Sequence, residues 1–105
     1  MKIKFNTDKT VSGEERNEKH FTSLIKEGLK RFESHLTRVE VHMSDENGKK
    51  EGLKDMKCLL EARIEGKQPI VVSYQAARPE LAVYGAVEKL KSSLDSIIGR
   101  MQEHK

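Results

Sequence analysis

The sequence predicts an α+β domain: a four-stranded mixed sheet with two helices packed on one face, in the order β-α-β-β-β-α. Three observations predict it. Alternating apolar and polar residues recur in four short stretches, the two-residue period of half-buried strands. Two longer stretches repeat apolar residues every three or four positions, the period of an amphipathic helix. Every strand has a single apolar face, so both helices are expected on the same side of one sheet.

Taken in order, Met1, Ile3 and Phe5 alternate with Lys2 and Lys4 as a first strand. Ser12-Gly13-Glu14-Glu15 fits a capping box, in which serine and glutamate satisfy each other's free backbone N–H groups. From there Phe21, Leu24, Ile25, Gly28, Leu29, Phe32 and Leu36 trace one helical face. Val39, Val41 and Met43 mark the second strand, parallel to the first through a right-handed crossover. A polar connection at 45–55 carries Asn47-Gly48 and Glu51-Gly52. Met56, Cys58, Leu60, Ala62 and Ile64 form the inward side of a third strand, and Ile70, Val72 and Tyr74 that of a fourth. A three-residue loop, Gly66-Lys67-Gln68, would set Ile64 opposite Ile70, Ala62 opposite Val72 and Leu60 opposite Tyr74, keeping one face apolar. Pro69 then begins its strand, where a missing donor is tolerated. Pro79 suits the first turn of the last helix, whose stripe is Val83, Val87, Leu90, Leu94, Ile97 and Met101.

A chain of 105 residues is read as one domain, 1–105. Its net charge of +3 leans basic too weakly to decide a partner, so the distribution of charge must do so. The opening residues alternate and soon turn polar, unlike a secretory leader. No apolar run approaches the roughly 20 residues of a membrane span. The lone Cys58 suits a reducing compartment. A cytoplasmic protein with no membrane partner is expected.

Catalysis is not expected. His20, His35, His42 and His104 lie in separate segments without metal-ligand spacing, and no cysteine pair exists for zinc. Cys58 falls on the inward register of a central strand, the place of a small hydrophobe and not of a nucleophile. There is no glycine-rich phosphate loop or nucleophile elbow. No catalytic residue, metal, cofactor or small-molecule substrate is assigned.

The cations are patterned. Arg78, Lys89 and Arg100 are spaced by eleven residues, nearly a whole number of helical turns, and so stack in one line off the apolar stripe. Arg16, Lys19, Lys26 and Lys30 form a crest on the first helix, with Ser23 and Ser34 between and beyond them. With both helices on one side of the sheet, the two crests would face one half-space and offer cations and hydroxyls, the groups that contact phosphate oxygens. The bland alternative is a pair of solvated helix faces. The open sheet face mixes Lys2, Lys4, Arg38, His42, Lys57 and Arg63 with Glu40, Glu61 and Glu65, which cross-strand ion pairing would explain. It offers no aromatic residue for base stacking.

Ala82-Val83-Tyr84-Gly85-Ala86-Val87-Glu88-Lys89-Leu90, followed by Leu94, resembles a helix pattern of the ribosome hibernation-promoting factor and ribosome-associated inhibitor family. That pattern is Ala-Ile, five variable positions, Lys-Leu and a further leucine. The segments 38–44 and 60–64 are similar to the family's strands. The likeness spans nearly the whole chain and implies a fold like that of double-stranded-RNA-binding domains. Family members bind the small ribosomal subunit, in the channel used by messenger and transfer RNA, chiefly through basic residues of the two helices. The resemblance thus implies a ribosomal RNA-binding factor that silences ribosomes in stress, a monomer off the ribosome. It carries Lys89 over directly, and Arg16, Lys19, Lys26, Lys30, Arg78 and Arg100 by general position. The chain resembles the short class, without the additional carboxy-terminal domain of long members. It departs from the family where Arg78-Pro79-Glu80 replaces an Asp and an aromatic residue, and where Ser92-Ser93 replaces an Arg-Gln pair. Those departures define the alternative, a stress-linked protein-interaction module of the same fold that has lost the ribosome. Binding of RNA duplexes unconnected with ribosomes is a third reading.

Overall fold

The computed structural model describes residues 1–7, 18–45 and 55–103. The elements are β1 (Lys2–Thr7), α1 (Glu18–Gly28), a 3-10 helix (Lys30–His35), β2 (Leu36–Asp45), β3 (Met56–Ile64), β4 (Ile70–Ala76) and α2 (Pro79–Glu103). The predicted capping box at 12–15 and Arg16 lie outside the described residues, as does most of the polar connection after β2. The four strands form one sheet in the order β1-β2-β3-β4. β1 pairs parallel with β2, while β2–β3 and β3–β4 are antiparallel. This is the expected mixed sheet, with both helices on its apolar face.

The first helical segment differs from the expected single helix running to Leu36. The α-helix ends at Gly28, and the chain tightens into the 3-10 helix before Leu36 opens β2. Phe32 N–H donates to Leu29 carbonyl at 2.9 Å, a three-residue bond. In a 3-10 helix side chains three apart eclipse one another. Leu29 and Phe32 are accordingly buried and His35 half-buried on one line. The tighter winding turns Phe32 and Leu36 into the core without lengthening the α-helix.

The β3–β4 hairpin also differs in register. Ala62 pairs with Ile70, Leu60 with Val72 and Cys58 with Tyr74, two residues away from the expected pairing. Strand pairing stops before Ile64, whose carbonyl accepts from Lys67 N–H at 3.0 Å instead. Gly66 takes a φ of 77°, a left-handed conformation that glycine adopts at little cost. Pro69 cannot donate to a ladder, so the loop widens to include it. A shift of two residues preserves which face is inward, and the apolar side survives.

The core joins Val39, Val41 and Met43 of β2 and Met56, Cys58, Leu60, Ala62 and Ile64 of β3 to the two helices. α1 contributes Phe21 and Ile25; α2 contributes Ala82, Val83, Ala86, Val87, Leu90, Leu94 and Ile98. The α2 stripe follows the predicted one as far as Leu94, then turns so that Ile98 is buried and Ile97 only partly so. The helices run in the same direction. His20 meets Glu80 near their starts, Gly28 approaches Val87 in the middle, and Arg31 meets Asp95 beyond. A Cβ on Gly28 would stand 2.5 Å from Val87 Cγ1, so glycine lets the helices touch.

Two substitutions on adjacent residues separate core from surface. Leu94→Ala removes a fully buried side chain and is expected to lower unfolding free energy by about 2–5 kcal/mol. Asp95→Ala removes an ion pair whose partners are both more than half exposed and is expected to cost less than about 1 kcal/mol. Urea denaturation of both variants checks the contrast.

Candidate nucleic-acid interface

The helix layer determines where the predicted cations stand. Lys19, Lys26 and Lys30 are exposed, and Lys26 and Lys30 line a cleft of about 430 Å³ with Met1, Ser23, Glu27 and Glu33. Met1 precedes β1, an edge strand, so this crest leans to the β1 side of the molecule. Lys89 leans to the opposite edge. Its Nζ donates to the Ser73 carbonyl of β4 at 3.0 Å and sits 5.7 Å from the centre of the Tyr74 ring. Arg100 folds back along α2, its Nε donating to Ser96 carbonyl at 3.2 Å. Arg78 precedes α2, and its carbonyl accepts the Ala82 N–H at 3.0 Å.

The two crests therefore do not form one continuous cationic surface. Between them runs a seam where α1 and α2 meet. Its apolar part is Leu24, Gly28, Tyr84 and Val87, flanked by Glu27, Glu88 and Lys91. At its ends stand the His20–Glu80 pair, at 2.6 Å, and the Arg31–Asp95 pair, at 2.8 Å. Lys91 is itself 3.3 Å from Glu88. Acids thus outnumber lysines and arginines along the seam, which disfavours a polyanion there.

On the open sheet face, register sets like against like between β2 and β3, Arg38 opposite Arg63 and Glu40 opposite Glu61, and opposite charges between β1 and β2, Lys4 opposite Glu40. Charges are also compensated along the strands, by Arg38 with Glu40 at 2.9 Å and Arg63 with Glu61 at 3.8 Å. Side chains two apart share a face, which makes those pairs reachable. His42 projects from this face, exposed.

Two aromatic residues outside the predicted site are exposed, one of them, Tyr74, expected on the inward side of its strand. Tyr84 is 61% exposed and Tyr74 41%. Tyr84 sits beside the apolar stripe, between Val83 and Gly85, so its helical angle was a usable signal. Tyr74 has the inward register, and its exposure comes from lying on an edge strand. Among the described residues, no group of three or more histidine, cysteine or acidic side chains could hold a metal. No helix among them is long and apolar enough to cross a membrane. Burial pushes the Cys58 thiol up to about 12, which leaves almost no thiolate near neutral pH.

No family model matches the chain, and no curated protein matches it in sequence. Solved structures do match. A ribosomal subunit interface protein from Coxiella burnetii superposes with a TM-score of 0.71, covering 94% of this chain and 99% of that one at 14% identity. The N-terminal domain of Protein Y from Thermus thermophilus gives a TM-score of 0.67 over 92% and 99% of the two chains, again at 14% identity. The α+β fold, sheet and helices together, is the one these proteins share.

Cys58 supplies a direct check of the buried register. At about pH 8 the native protein is expected to resist a thiol-modifying reagent, and to react as a free thiol once urea exposes the strand. Rapid labelling of the native protein would contradict the placement of β3 beneath the helices.

Proposed function

We propose that this chain is a non-enzymatic member of the ribosome hibernation factor family. On this reading it is a cytoplasmic protein that binds small-subunit ribosomal RNA through basic helix flanks and lowers translation by occlusion under stress. The observation that carries the reading is the likeness, over nearly the full length of both chains, to a protein named for the ribosomal subunit interface. The exposed cations of α1 and the Lys89 ammonium supply phosphate-binding groups consistent with it. Lys19, Lys26 and Lys30 would form one contact line and Arg78, Lys89 and Arg100 the other, with Arg16 extending the first. Lys26 and Lys30 lie on the β1 flank and Lys89 on the β4 flank, which would suit a protein wedged between separate RNA segments more than one lying on a single strand.

Phosphate contacts release counterions, so each contributes about 0.7–0.9 to the slope of log affinity against log salt. Sedimentation of stationary-phase lysates should place the protein with small subunits at low salt and free it at high salt. Its absence from ribosomal fractions even at low salt would sink the reading. With purified subunits, replacing Lys19, Lys26 and Lys30 by alanine, or Arg78, Lys89 and Arg100, is expected to weaken binding and flatten the salt slope in each case. Circular dichroism checks that the variants remain folded.

The exposure of Leu81 and Tyr84 beside the acidic seam favours a second reading, a stress-linked protein-interaction module that has lost the ribosome. Recovery of one protein partner, insensitive to salt and free of ribosomal RNA, would select it.

A further inference from the structure

We propose that Tyr74 and Lys89 form a stacking site for an unpaired RNA nucleotide on the β4 edge, a site that rests on the RNA-binding reading above. Among the described residues the exposed large hydrophobic side chains are Val71, Tyr74, Leu81 and Tyr84. All of them fall on β4 or on the first two turns of α2. Val71 projects from the open face of the sheet, so it does not join the others in one apolar patch.

The geometry at Tyr74 is specific. β4 is the last strand of the sheet, and its helix-side residues have no further strand beside them. The Tyr74 ring lies against α2 at Gly85, where an added Cβ would collide with three of the ring's carbons. Glycine at this position therefore makes room for the ring. One turn further along α2, Lys89 Nζ is 5.7 Å from the ring centre and is tethered to the Ser73 carbonyl at 3.0 Å. An ammonium has more N–H donors than that one bond uses. The tether thus holds a cation over part of a partly exposed aromatic ring and leaves donors for another acceptor.

An aromatic surface for a base and an adjacent cation for its phosphate are the two components of single-strand recognition. An apolar protein side chain would be a poorer match, since the cation would have to be desolvated without an anion to replace water. Tyr84 is more exposed than Tyr74, but Glu27 and Glu88 flank it in the seam and repel a phosphate. A duplex keeps its bases stacked on one another, so the site selects unpaired nucleotides.

The chain has no tryptophan and two tyrosines, so its tyrosine emission reports on Tyr74 and Tyr84 alone. In a Tyr84→Leu protein it reports on Tyr74 only. That protein is titrated with a short single-stranded RNA and with a blunt RNA duplex, following tyrosine emission and the anisotropy of a dye on the RNA. Single-stranded RNA is expected to bind and quench the emission, and the duplex to leave it unquenched. In the wild-type background, Tyr74→Leu should weaken single-strand affinity on the order of tenfold, while Tyr74→Phe retains it. Binding without quenching, with Tyr74→Leu as tight as the parent, overturns the stacking site and leaves the ribosome reading standing. Failure to bind either RNA also overturns the site. Sedimentation of the same protein with small subunits then shows whether the ribosome reading falls with it.

Discussion

Two helices share one apolar face of a sheet only four strands wide, and the rest of the molecule follows from how they fit. Strands stand about 4.8 Å apart, and packed helices roughly 8–10 Å apart. Two helices therefore just cover the face if they touch. Gly28 against Val87 provides that contact, and the parallel course of the helices lets it continue to the Arg31–Asp95 pair. A side chain at Gly28 would press on Val87 Cγ1 and force a shift in the layer that covers the β2–β3 centre, where Val39, Val41, Cys58 and Leu60 have no exposure.

That fit also sorts the charges. Residues facing the neighbouring helix become the seam, and those rotated away from it become the flanks. Glu27 and Glu88 fall in the seam, while Lys26 and Lys30 turn toward β1 and Lys89 toward β4. Lys89 has a structural consequence as well. An edge strand presents unpaired backbone groups that invite another strand, and a lysine on the edge is a common deterrent. Its bond to Ser73 carbonyl occupies one such group. The same residue is the one family-like position carried directly by sequence, so phosphate binding and edge protection would draw on one ammonium.

Much of the fold was legible in the residues. The alternation in β3 and the three-and-four spacing in α2 are local consequences of strand and helix geometry, and each appears in the structure at the expected phase, in α2 as far as Leu94. The hairpin was legible in face and not in register, because parity survives a shift of two residues while the loop length depends on how Gly66 and Pro69 turn the chain. The 3-10 helix was hidden for a similar reason. Leu29, Phe32 and Leu36 suit either winding, and only the docking of Phe32 and Leu36 into the core selects the tighter one.

The candidate site was legible in composition and not in arrangement. Eleven-residue spacing by itself set Lys89 and Arg100 on one line along α2, with Arg78 immediately ahead of its first turn, just as apolar periodicity indicated which side of each helix is buried. Both are properties of a helix about its own axis. Which flank each crest faces, that an acidic seam divides them, and that Tyr74 stands exposed over Gly85 were decided only by the tertiary structure. Those facts depend on which element lies beside which, and no periodicity within a single element encodes its neighbour.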